Sequence, residues 1–280
     1  MLTQTQLRAL LDQHALSPRK ALGQNFLVDA NLLRKLLDAS GLESGDVVLE
    51  VGPGAGSLTE PMLERGARVF AVELDDGLAT LLQQRLAPAW PDAFTLIRGD
   101  CLASKRRINP EAIAAIESTG AARWKLIANL PYGAASPLML TLLTQHPRCA
   151  SMHVTIQKEV ADRLMAPPGS RDYGELSVIA QAFAEIRRVA TAPPECFWPR
   201  PKVTSAMISL IRRDHPLTDD AESLVACCST LFQKRRKQLG AIIGRDVAES
   251  AGFDPTRRPE SLSIEEFVQL AAALRIHRAE

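Results

Sequence analysis

The sequence predicts an α/β protein in which a mainly parallel sheet of seven strands is followed by a small all-helical domain. From residue 46 to about 212, short apolar and β-branched runs alternate with amphipathic segments, a pattern that is typical of βαβ units. After residue 214 the strand pattern stops and only helical periodicity continues. The chain has 280 residues, of which 46% are hydrophobic, and this allows one large core with a small second one.

Seven strands are predicted from the apolar runs. The first five alternate with helices, and the last two lie close enough in the chain to pair as an antiparallel edge. In chain order the predicted strands are 47–51, 68–73, 94–98, 125–129, 152–156, 185–191 and 206–212.

Helices are predicted where apolar residues recur at three-and-four spacing. A helix over 31–40 carries a stripe of four leucines and is expected to pack beside the loop after the first strand. The other predicted helices are 58–65, 76–86, 110–117, 136–145, 178–183, 221–239, 247–251 and 264–274. The stretch 101–123 is expected to form a long surface excursion between two strands.

Charge and cysteine content favour a soluble, cytoplasmic protein. The net charge is only +1, so any contact with nucleic acid must depend on where the basic residues lie. The five cysteines form no Cys-x-x-Cys pair and have no histidines at ligand spacing, which predicts reduced thiols and no metal site. No basic-then-apolar leader and no apolar run near ~18 residues occurs in the sequence. We expect a monomer without membrane contact.

A glycine-rich turn directly follows the first predicted strand. Gly52, Gly54 and Gly56 lack a Cβ atom, which lets the backbone approach a ligand closely, and the following helix offers free amide donors. The dinucleotide fingerprint would require a glycine at the next position, which is Ser57, so a pyrophosphate cofactor is disfavoured. For the glycines taken alone, an ordinary tight turn is the alternative.

Two acidic residues point to the chemistry of the ligand. Glu73 ends the second predicted strand and Asp100 follows the third, so both belong to the sheet edge at which open α/β folds bind ligands. A carboxylate after strand two can accept hydrogen bonds from both ribose hydroxyls, and one after strand three can accept from an adenine amino group. The combination predicts an adenosine-containing cofactor.

The tetrapeptide Asn129-Leu130-Pro131-Tyr132 ends the fourth predicted strand. The Asn129 side-chain oxygen and the Leu130 carbonyl are two acceptors that can hold the hydrogens of a planar amine for in-line attack. Pro131 favours an extended backbone at Leu130, and Tyr132 supplies a ring on which an extruded base can stack. A strand-ending turn is the alternative, because Asn and Pro are common in turns.

With these motifs the chain resembles the ribosomal RNA adenine dimethyltransferases, in particular the small-subunit enzymes that dimethylate two adjacent adenines near the 3′ end of 16S rRNA. The resemblance runs from about residue 18 to the C-terminus. Its segments are 22–27 (LGQNFL), 50–56 (EVGPGAG), Glu73, 99–100 (GD), 129–132 (NLPY), 157–164 (QKEVADRL), 173–178 (YGELSV), 197–203 (FWPRPKV) and 235–237 (RRK). Two departures are the length of 101–123 and the small residues Gly133-Ala134-Ala135 after the tetrapeptide.

The resemblance implies a Rossmann-like class I methyltransferase domain over 1–213, with a helical extension at 1–40, and a helical RNA-binding domain over 214–280. S-adenosylmethionine is the implied cofactor, without a metal. Its expected contacts are Asn25, Leu27, Gly52, Gly54, Gly56, Glu73, Asp100, Cys101 and Asn129. The expected catalytic group is Asn129, Leu130, Pro131 and Tyr132, with Phe197 stacking on the other face of the target adenine.

Basic residues cluster after the tetrapeptide and in the predicted helical domain, where we expect contacts with rRNA phosphates in the pre-30S subunit. They are Arg163, Arg171, Arg187, Arg188, Arg200, Lys202, Lys234, Arg235, Arg236 and Lys237. A solvated helix face is the alternative for 234–237 and for 105–107. Two other functions stay open: a macrolide-resistance methyltransferase acting on large-subunit RNA, and an assembly factor whose binding role outweighs catalysis.

Overall fold

The structure is a computed structural model that describes residues 1–104 and 106–279. The chain divides into two compact units. The first unit contains residues 1–142, 146–161 and 187–211, and the second contains 143–145, 162–186 and the chain from Arg212 onward. The change of unit at Arg212 lies next to the domain border expected after residue 213, and residues 162–186 group with the C-terminal unit.

Eleven strands lie within the described residues, and seven of them form one sheet. In chain order the strands are β1 (Phe26–Leu27), β2 (Val47–Val51), β3 (Arg68–Glu73), β4 (Phe94–Arg98), β5 (Leu102–Ser104), β6 (Arg107–Ile108), β7 (Trp124–Asn129), β8 (Cys149–Gln157), β9 (Ala184–Ala192), β10 (Phe197–Trp198) and β11 (Ser205–Arg212). All seven predicted strands are confirmed, three of them with the same bounds. The four short strands were not predicted.

The order of the large sheet is β4-β3-β2-β7-β8-β11-β9. Its first five strands are parallel, and β11 is antiparallel to β8. The chain therefore leaves β2, β3, β4 and β7 at the same edge of the sheet, where β2 and β7 lie side by side in the centre. This is the edge at which the sequence predicts the functional residues.

The helices account for most of the rest of the chain. In chain order they are α1 (Gln4–Gln13), α2 (Ala30–Ala39), α3 (Thr59–Glu64), α4 (Asp76–Arg85), α5 (Pro110–Glu117), α6 (Tyr132–Gln145), α7 (Lys158–Leu164), α8 (Glu175–Phe183), α9 (Ala221–Gln233), α10 (Leu239–Ile243), α11 (Arg245–Ser250) and α12 (Ile264–Ala279). Within residues 1–104 and 106–279, none of them has the length and apolar character that crossing a bilayer requires.

One predicted helix is wrong in its extent. The pattern over 221–239 predicts a single helix, whereas α9 ends at Gln233 and α10 begins at Leu239. The backbone N–H groups of Leu239 and Gly240 donate to the carbonyl oxygens of Arg257 and Pro255, each at 2.8 Å. These tertiary hydrogen bonds set the direction of the chain at a point where the apolar periodicity alone would continue the helix.

Helix α2 packs into the main core of the first unit through its leucine stripe. Leu33, Leu36 and Leu37 are almost fully buried, and they share a hydrophobic cluster with Leu58 and Met62, which follow the glycine-rich turn. Asp29 accepts hydrogen bonds from the first free N–H groups of this helix and caps it.

A two-stranded sheet joins the N-terminal segment to a point about 170 residues later. Phe26 pairs with Trp198 and Leu27 with Phe197 in antiparallel register. Because side chains alternate along a strand, the two pairs face different cores. Leu27 and Phe197 belong to the main cluster, whereas Phe26 and Trp198 pack with Leu7 and other residues near α1 and α4.

An aromatic cluster forms the centre of the second unit. Tyr173 is fully buried and makes an edge contact with Phe232, which stacks on Phe267 with ring centroids 5.2 Å apart. The Tyr173 hydroxyl donates to the Leu262 carbonyl at 3.0 Å. The hydroxyl is therefore satisfied although its ring is buried.

Arg235 has a structural role in the second unit. Its guanidinium donates to the Ser170 carbonyl at 3.0 Å, to the Arg171 carbonyl at 2.7 Å and to Glu260 at 2.7 Å. Most of its donors are therefore used inside the fold, which does not support the predicted contact between Arg235 and RNA. Its neighbour Arg236 is exposed.

Arg235→Ala is expected to lower the free energy of unfolding by about 2–4 kcal/mol, because it leaves two carbonyl oxygens and a carboxylate without their charged donor. Arg236→Ala, the matched control, should change it by less than about 0.5 kcal/mol. Urea denaturation measures both variants. Equal midpoints for Arg235→Ala and Arg236→Ala would show that the Arg235 contacts contribute nothing.

Candidate active site at the carboxyl edge of the sheet

A cavity of about 300 Å³ lies at the ends of β2, β3 and β7, and all the residues that line it belong to the first unit. The sequence-predicted residues that line it are Asn25, Gly52, Gly54, Glu73, Asp100, Cys101, Asn129, Leu130, Pro131 and Tyr132. The structure thus brings together residues that are up to about 100 positions apart in the chain.

Three predicted site residues do not line the cavity: Leu27, Gly56 and Phe197. Phe197 is 1% exposed and lies in the main core with Leu27. This position does not support the predicted stacking of Phe197 on a base. Phe197 pairs with Leu27 between β10 and β1, and both side chains belong to the main core. Phe26 precedes Leu27 in β1, so its side chain faces the other way and lines the cavity.

Of one wall of the cavity, the sequence interpretation named only Asn25 as a site residue. Residues 22–26 line it as a continuous segment, which we call the strap. Leu74, which is 51% exposed, and Leu102 add apolar surface to the lining. A leucine directly after the acidic residue that ends a strand was the signal available for Leu74.

The three glycines of the turn each have a positive φ, of 70° at Gly52, 61° at Gly54 and 84° at Gly56, which other residues rarely adopt. A Cβ atom on Gly54 would come within 2.8 Å of the Phe26 ring, so the strap lies directly on the loop. Gly56 instead packs against side chains of α4. It shapes the turn but does not contact the cavity.

The carboxylate of Glu73 holds this turn in place. One oxygen accepts the Gly54 N–H at 3.1 Å and the other accepts the Asp75 N–H at 2.9 Å. Burial raises the pKa of Glu73, and these two backbone hydrogen bonds act against the rise. The group remains at the cavity wall, with 6% of its surface exposed.

Asp75 fixes the strap to the sheet edge. Its side chain accepts from the N–H groups of Gly77 and Leu78 and so caps α4. Its other oxygen accepts from Gln24 Nε2 at 3.1 Å and pairs with Arg19 at 3.2 Å. The buried carboxylate therefore joins the start of α4 to residues 19–24 in a single hydrogen-bonded cluster.

The strap also fixes the orientation of the Asn129 amide. Asn129 Nδ2 donates to the Asn25 carbonyl oxygen at 2.9 Å. A carbonyl oxygen can only accept, so the amide nitrogen must face Asn25, and the assignment of the two amide ends is not ambiguous. The oxygen Oδ1 is then at the other end of an amide that lines the cavity.

The rest of the tetrapeptide is held by β8 and β11. The Leu130 N–H donates to the Thr155 carbonyl at 3.1 Å, and the Tyr132 hydroxyl shares a 2.9 Å hydrogen bond with Ser205. Burial raises the pKa of Tyr132, so this hydroxyl is neutral near pH 7. Gly133 and Ala134 line the adjacent edge, which is open because both side chains are small.

The charge of the cavity restricts its ligands. Among residues 1–104 and 106–279, its lining contains the carboxylates of Glu73 and Asp100 and no Lys, Arg or His side chain. Such a lining favours a cation and repels phosphate groups. Burial raises the pKa of Cys101 to about 12, and nearby Asp100 adds to the rise, so this thiol is not a nucleophile. The described residues contain no cluster of three or more His, Cys, Asp or Glu able to hold a metal ion.

The basic residues predicted to contact RNA are exposed, apart from Arg235. Four of them lie in the first unit and five in the second. They are Arg187, Arg188, Arg200 and Lys202, and then Arg163, Arg171, Lys234, Arg236 and Lys237. Exposure is compatible with phosphate contacts but does not by itself distinguish them from a solvated surface.

Comparison with known proteins identifies the family. Residues 15–274 match the family described as ribosomal RNA adenine dimethylase. The chain belongs to this family. Relatives named ribosomal RNA small subunit methyltransferase A include one from Kineococcus radiotolerans, 39% identical over 97% of this chain and 91% of the relative. The one from Mycobacterium tuberculosis is 40% identical over 96% of this chain and 87% of the relative.

Two solved structures show the same fold. A dimethyladenosine transferase from Plasmodium falciparum covers 89% of this chain and 96% of its own, with a TM-score of 0.74 and 22% identity. The match to the 23S rRNA methyltransferase ErmE covers 89% of this chain and 99% of ErmE, with a TM-score of 0.63 and 23% identity. The Rossmann-like methyltransferase fold predicted from the sequence is thus confirmed for this member of the adenine dimethylase family.

A second acid lies behind the cavity of this family member. Glu50, near the end of β2, is 1% exposed, and its Oε2 atom has no hydrogen-bond partner among the described residues. Burial raises its pKa to about 8 against a smaller opposing effect of the nearby Thr59 hydroxyl, and Glu73 adds to the rise. Glu50 is therefore mostly neutral at pH 7.

The free energy of unfolding is expected to fall as the pH rises, because the unfolded chain loses the Glu50 proton at a lower pH than the folded protein does. The folded protein keeps a proton that the unfolded chain releases above its ordinary pKa, so this contribution is complete below about pH 4.5 and is lost as the pH rises through about 8. Between pH 6 and 8 the wild type should lose about 1.4 kcal/mol per pH unit more than Glu50→Gln. Thermal melting across this range measures the difference. Exposed Glu43→Gln is the control, and parallel curves for wild type and Glu50→Gln would contradict the assignment.

Proposed function

We propose that the protein uses S-adenosylmethionine to dimethylate the N6 amines of two adjacent adenosines in the 3′-terminal hairpin loop of 16S rRNA. Residues 1–213 would form the methyltransferase domain and residues 214–280 a helical RNA-binding domain, with a pre-30S particle as substrate. Support comes from the curated relatives at about 40% identity, whose names specify the small subunit. A monomeric state and a cytoplasmic location remain predictions from the sequence.

The observation that carries this proposal is the orientation of the Asn129 amide. With its nitrogen bound to Asn25, Oδ1 is the group that Asn129 can direct at a substrate. Together with the Leu130 carbonyl it would provide two acceptors, while the amide nitrogen is held by Asn25. An exocyclic amine, which carries two hydrogens in one plane, matches this pair, whereas a carbonyl group would be repelled.

The lining of the cavity fits S-adenosylmethionine. This donor has no phosphate and carries positive charge, which suits a lining that holds two carboxylates and, within the described part of the chain, no basic side chain. Glu73 would accept the ribose hydroxyls, Asp100 the adenine amino group, and the backbone of the glycine turn would lie against the ligand. When bound, the donor supplies an activated methyl group on a sulfonium.

Asn129 and Leu130 would hold the target amine so that its nitrogen faces the methyl group, and Tyr132 would stack on the base. Positioning is the main catalytic contribution of these residues. No general base is required, because the amine becomes cationic as it gains the methyl group and then loses a proton readily. Repetition on the same nitrogen gives the dimethylated product, and the small residues Gly133 and Ala134 leave space for it.

Two alternatives are disfavoured by particular observations. A large-subunit methyltransferase shares the fold of ErmE, but the chain is only 23% identical to that protein, compared with about 40% to the small-subunit relatives. A binding factor without catalysis is disfavoured because Glu73, Asp100 and Asn129 all line one cavity. A role in assembly alongside catalysis is compatible with the site.

RNA contacts would come from the nine exposed basic residues, without Arg235.

Incubation with labelled donor and purified subunits tests the proposal. Unmethylated 30S particles are expected to gain four methyl groups, mapped by mass spectrometry to two adjacent adenosines, and 50S particles are expected to gain none. Methylation of 50S particles alone would favour the large-subunit alternative. Binding to 30S particles without methylation of either subunit would favour the assembly factor.

Asn129→Asp is expected to reduce methyl transfer by at least about 100-fold, because a carboxylate has no hydrogen to donate to the Asn25 carbonyl and cannot be held in the same orientation. The measurement is the single-turnover rate with unmethylated 30S particles at saturating donor, with thermal melting to check the fold. Asn31→Asp is the matched control, because Asn31 is exposed in the first turn of α2 and its side-chain oxygen accepts from Arg34, a bond that a carboxylate keeps. A rate above a tenth of the wild-type rate would contradict the role of the amide.

A further inference from the structure

We propose that the hairpin formed by β5 and β6 is an RNA-binding element that holds backbone phosphates beside the nucleotide in the cavity. This inference rests on the proposed function, since it assumes that RNA enters the cavity. It assigns a role to the first part of the excursion between β4 and β7, for which the sequence predicts only a surface position. The residues concerned are Arg106 and Arg107, in the turn and second strand of the hairpin.

The hairpin begins and ends at the rim of the cavity. Cys101 and Leu102, at its start, line the cavity together with Asp100. The Leu102 N–H donates to Asp100 Oδ1 at 2.9 Å, and the Asn109 N–H donates to the Cys101 carbonyl at 2.8 Å. Asn109 Nδ2 also donates to the Asp100 carbonyl at 3.0 Å. These bonds fix both ends of the hairpin to the residue that is expected to contact the cofactor.

The backbone of the two arginines belongs to the hairpin, since the Arg106 N–H donates to Ser104 and Arg107 pairs with Ser104. Their side chains are exposed and form no ion pair with a described residue. The hairpin is anchored instead by Ile108, which is 3% exposed, while Ala103 and Ser104 are exposed like the arginines. Lys105, which continues the basic run in the sequence, lies outside the described residues. A two-stranded hairpin has little stability of its own, and this one is held at its ends. The exposed arginine side chains are therefore accessible to a partner.

The charge of the cavity explains why a polyanion needs such an element at this position. Glu73 and Asp100 favour a cationic donor, but the same carboxylates repel the phosphates on either side of an inserted nucleotide. Arg106 and Arg107 lie on the excursion that starts at Asp100, so their charge offsets this repulsion at the mouth. Arginine is also suited to phosphate, because its planar fork donates two parallel hydrogen bonds.

The double variant R106E/R107E tests the inference by equilibrium binding to unmethylated 30S particles at several salt concentrations. We expect binding at least about tenfold weaker, and a slope of log K against log salt that is flatter by about 1.5, at about 0.7–0.9 per lost phosphate contact. Affinity for S-adenosylmethionine and the thermal midpoint should stay at wild-type values. R106K/R107K, which keeps the charge, should retain most of the affinity.

R68E/R148E is the matched control. Arg68 begins β3 and Arg148 precedes β8, so both lie at the opposite edge of the sheet, and both are exposed. The control changes the net charge equally and should leave the salt slope nearer that of the wild type. If R106E/R107E and R68E/R148E have the same slope, the hairpin inference is wrong. Methylation of 30S particles by the wild type, measured in parallel, shows separately whether the proposed function stands.

Discussion

The carboxylate of Glu73 is the group on which the site depends most. It ends a central strand and accepts one hydrogen bond from the glycine turn before it and one from the turn after it. A buried carboxylate is costly unless its oxygens are satisfied, so these two bonds constrain both turns. Adding a Cβ to Gly54 would disturb the first bond and press on Phe26 at the same time. The cavity wall is thus determined by the requirement to solvate one charge.

A second carboxylate extends this constraint to the amine-binding side. The backbone N–H of Asp75 donates to Glu73, and the Asp75 carboxylate accepts from Gln24 and pairs with Arg19. The next residue, Asn25, offers its carbonyl to Asn129. The proposed donor site and the proposed amine site are therefore joined through the strap, although they end different strands. Each hydrogen bond in this series has a defined donor and acceptor. Removing one of these groups is therefore expected to alter the position of the strap.

The sequence predicted the large sheet and ten of the residues that line the cavity because their signals are local. Apolar runs define each strand, and parallel strands necessarily bring Glu73, Asp100 and Asn129 to one edge. The site predictions that the structure does not support involve contacts between distant segments. Nothing near Phe197 in the sequence shows that it pairs with Leu27. That pairing places Phe197 in the main core, whereas its neighbour Trp198 faces the other way. Arg235 belongs to a basic run in the sequence, but only its tertiary contacts show that the fold uses it.

The pairing of β1 with β10 also has a consequence for synthesis on the ribosome. Residues 26–27 reach their partner strand only after residues 197–198 have been made. At about 5–20 residues per second, translation delays this pairing by roughly 10–30 s. The sheet edge with Glu73 and Asn129 is therefore translated before β10, the strand that holds the end of the strap. Phe26 is made well before its strand partner Trp198, which is among the last residues of the first unit to be translated.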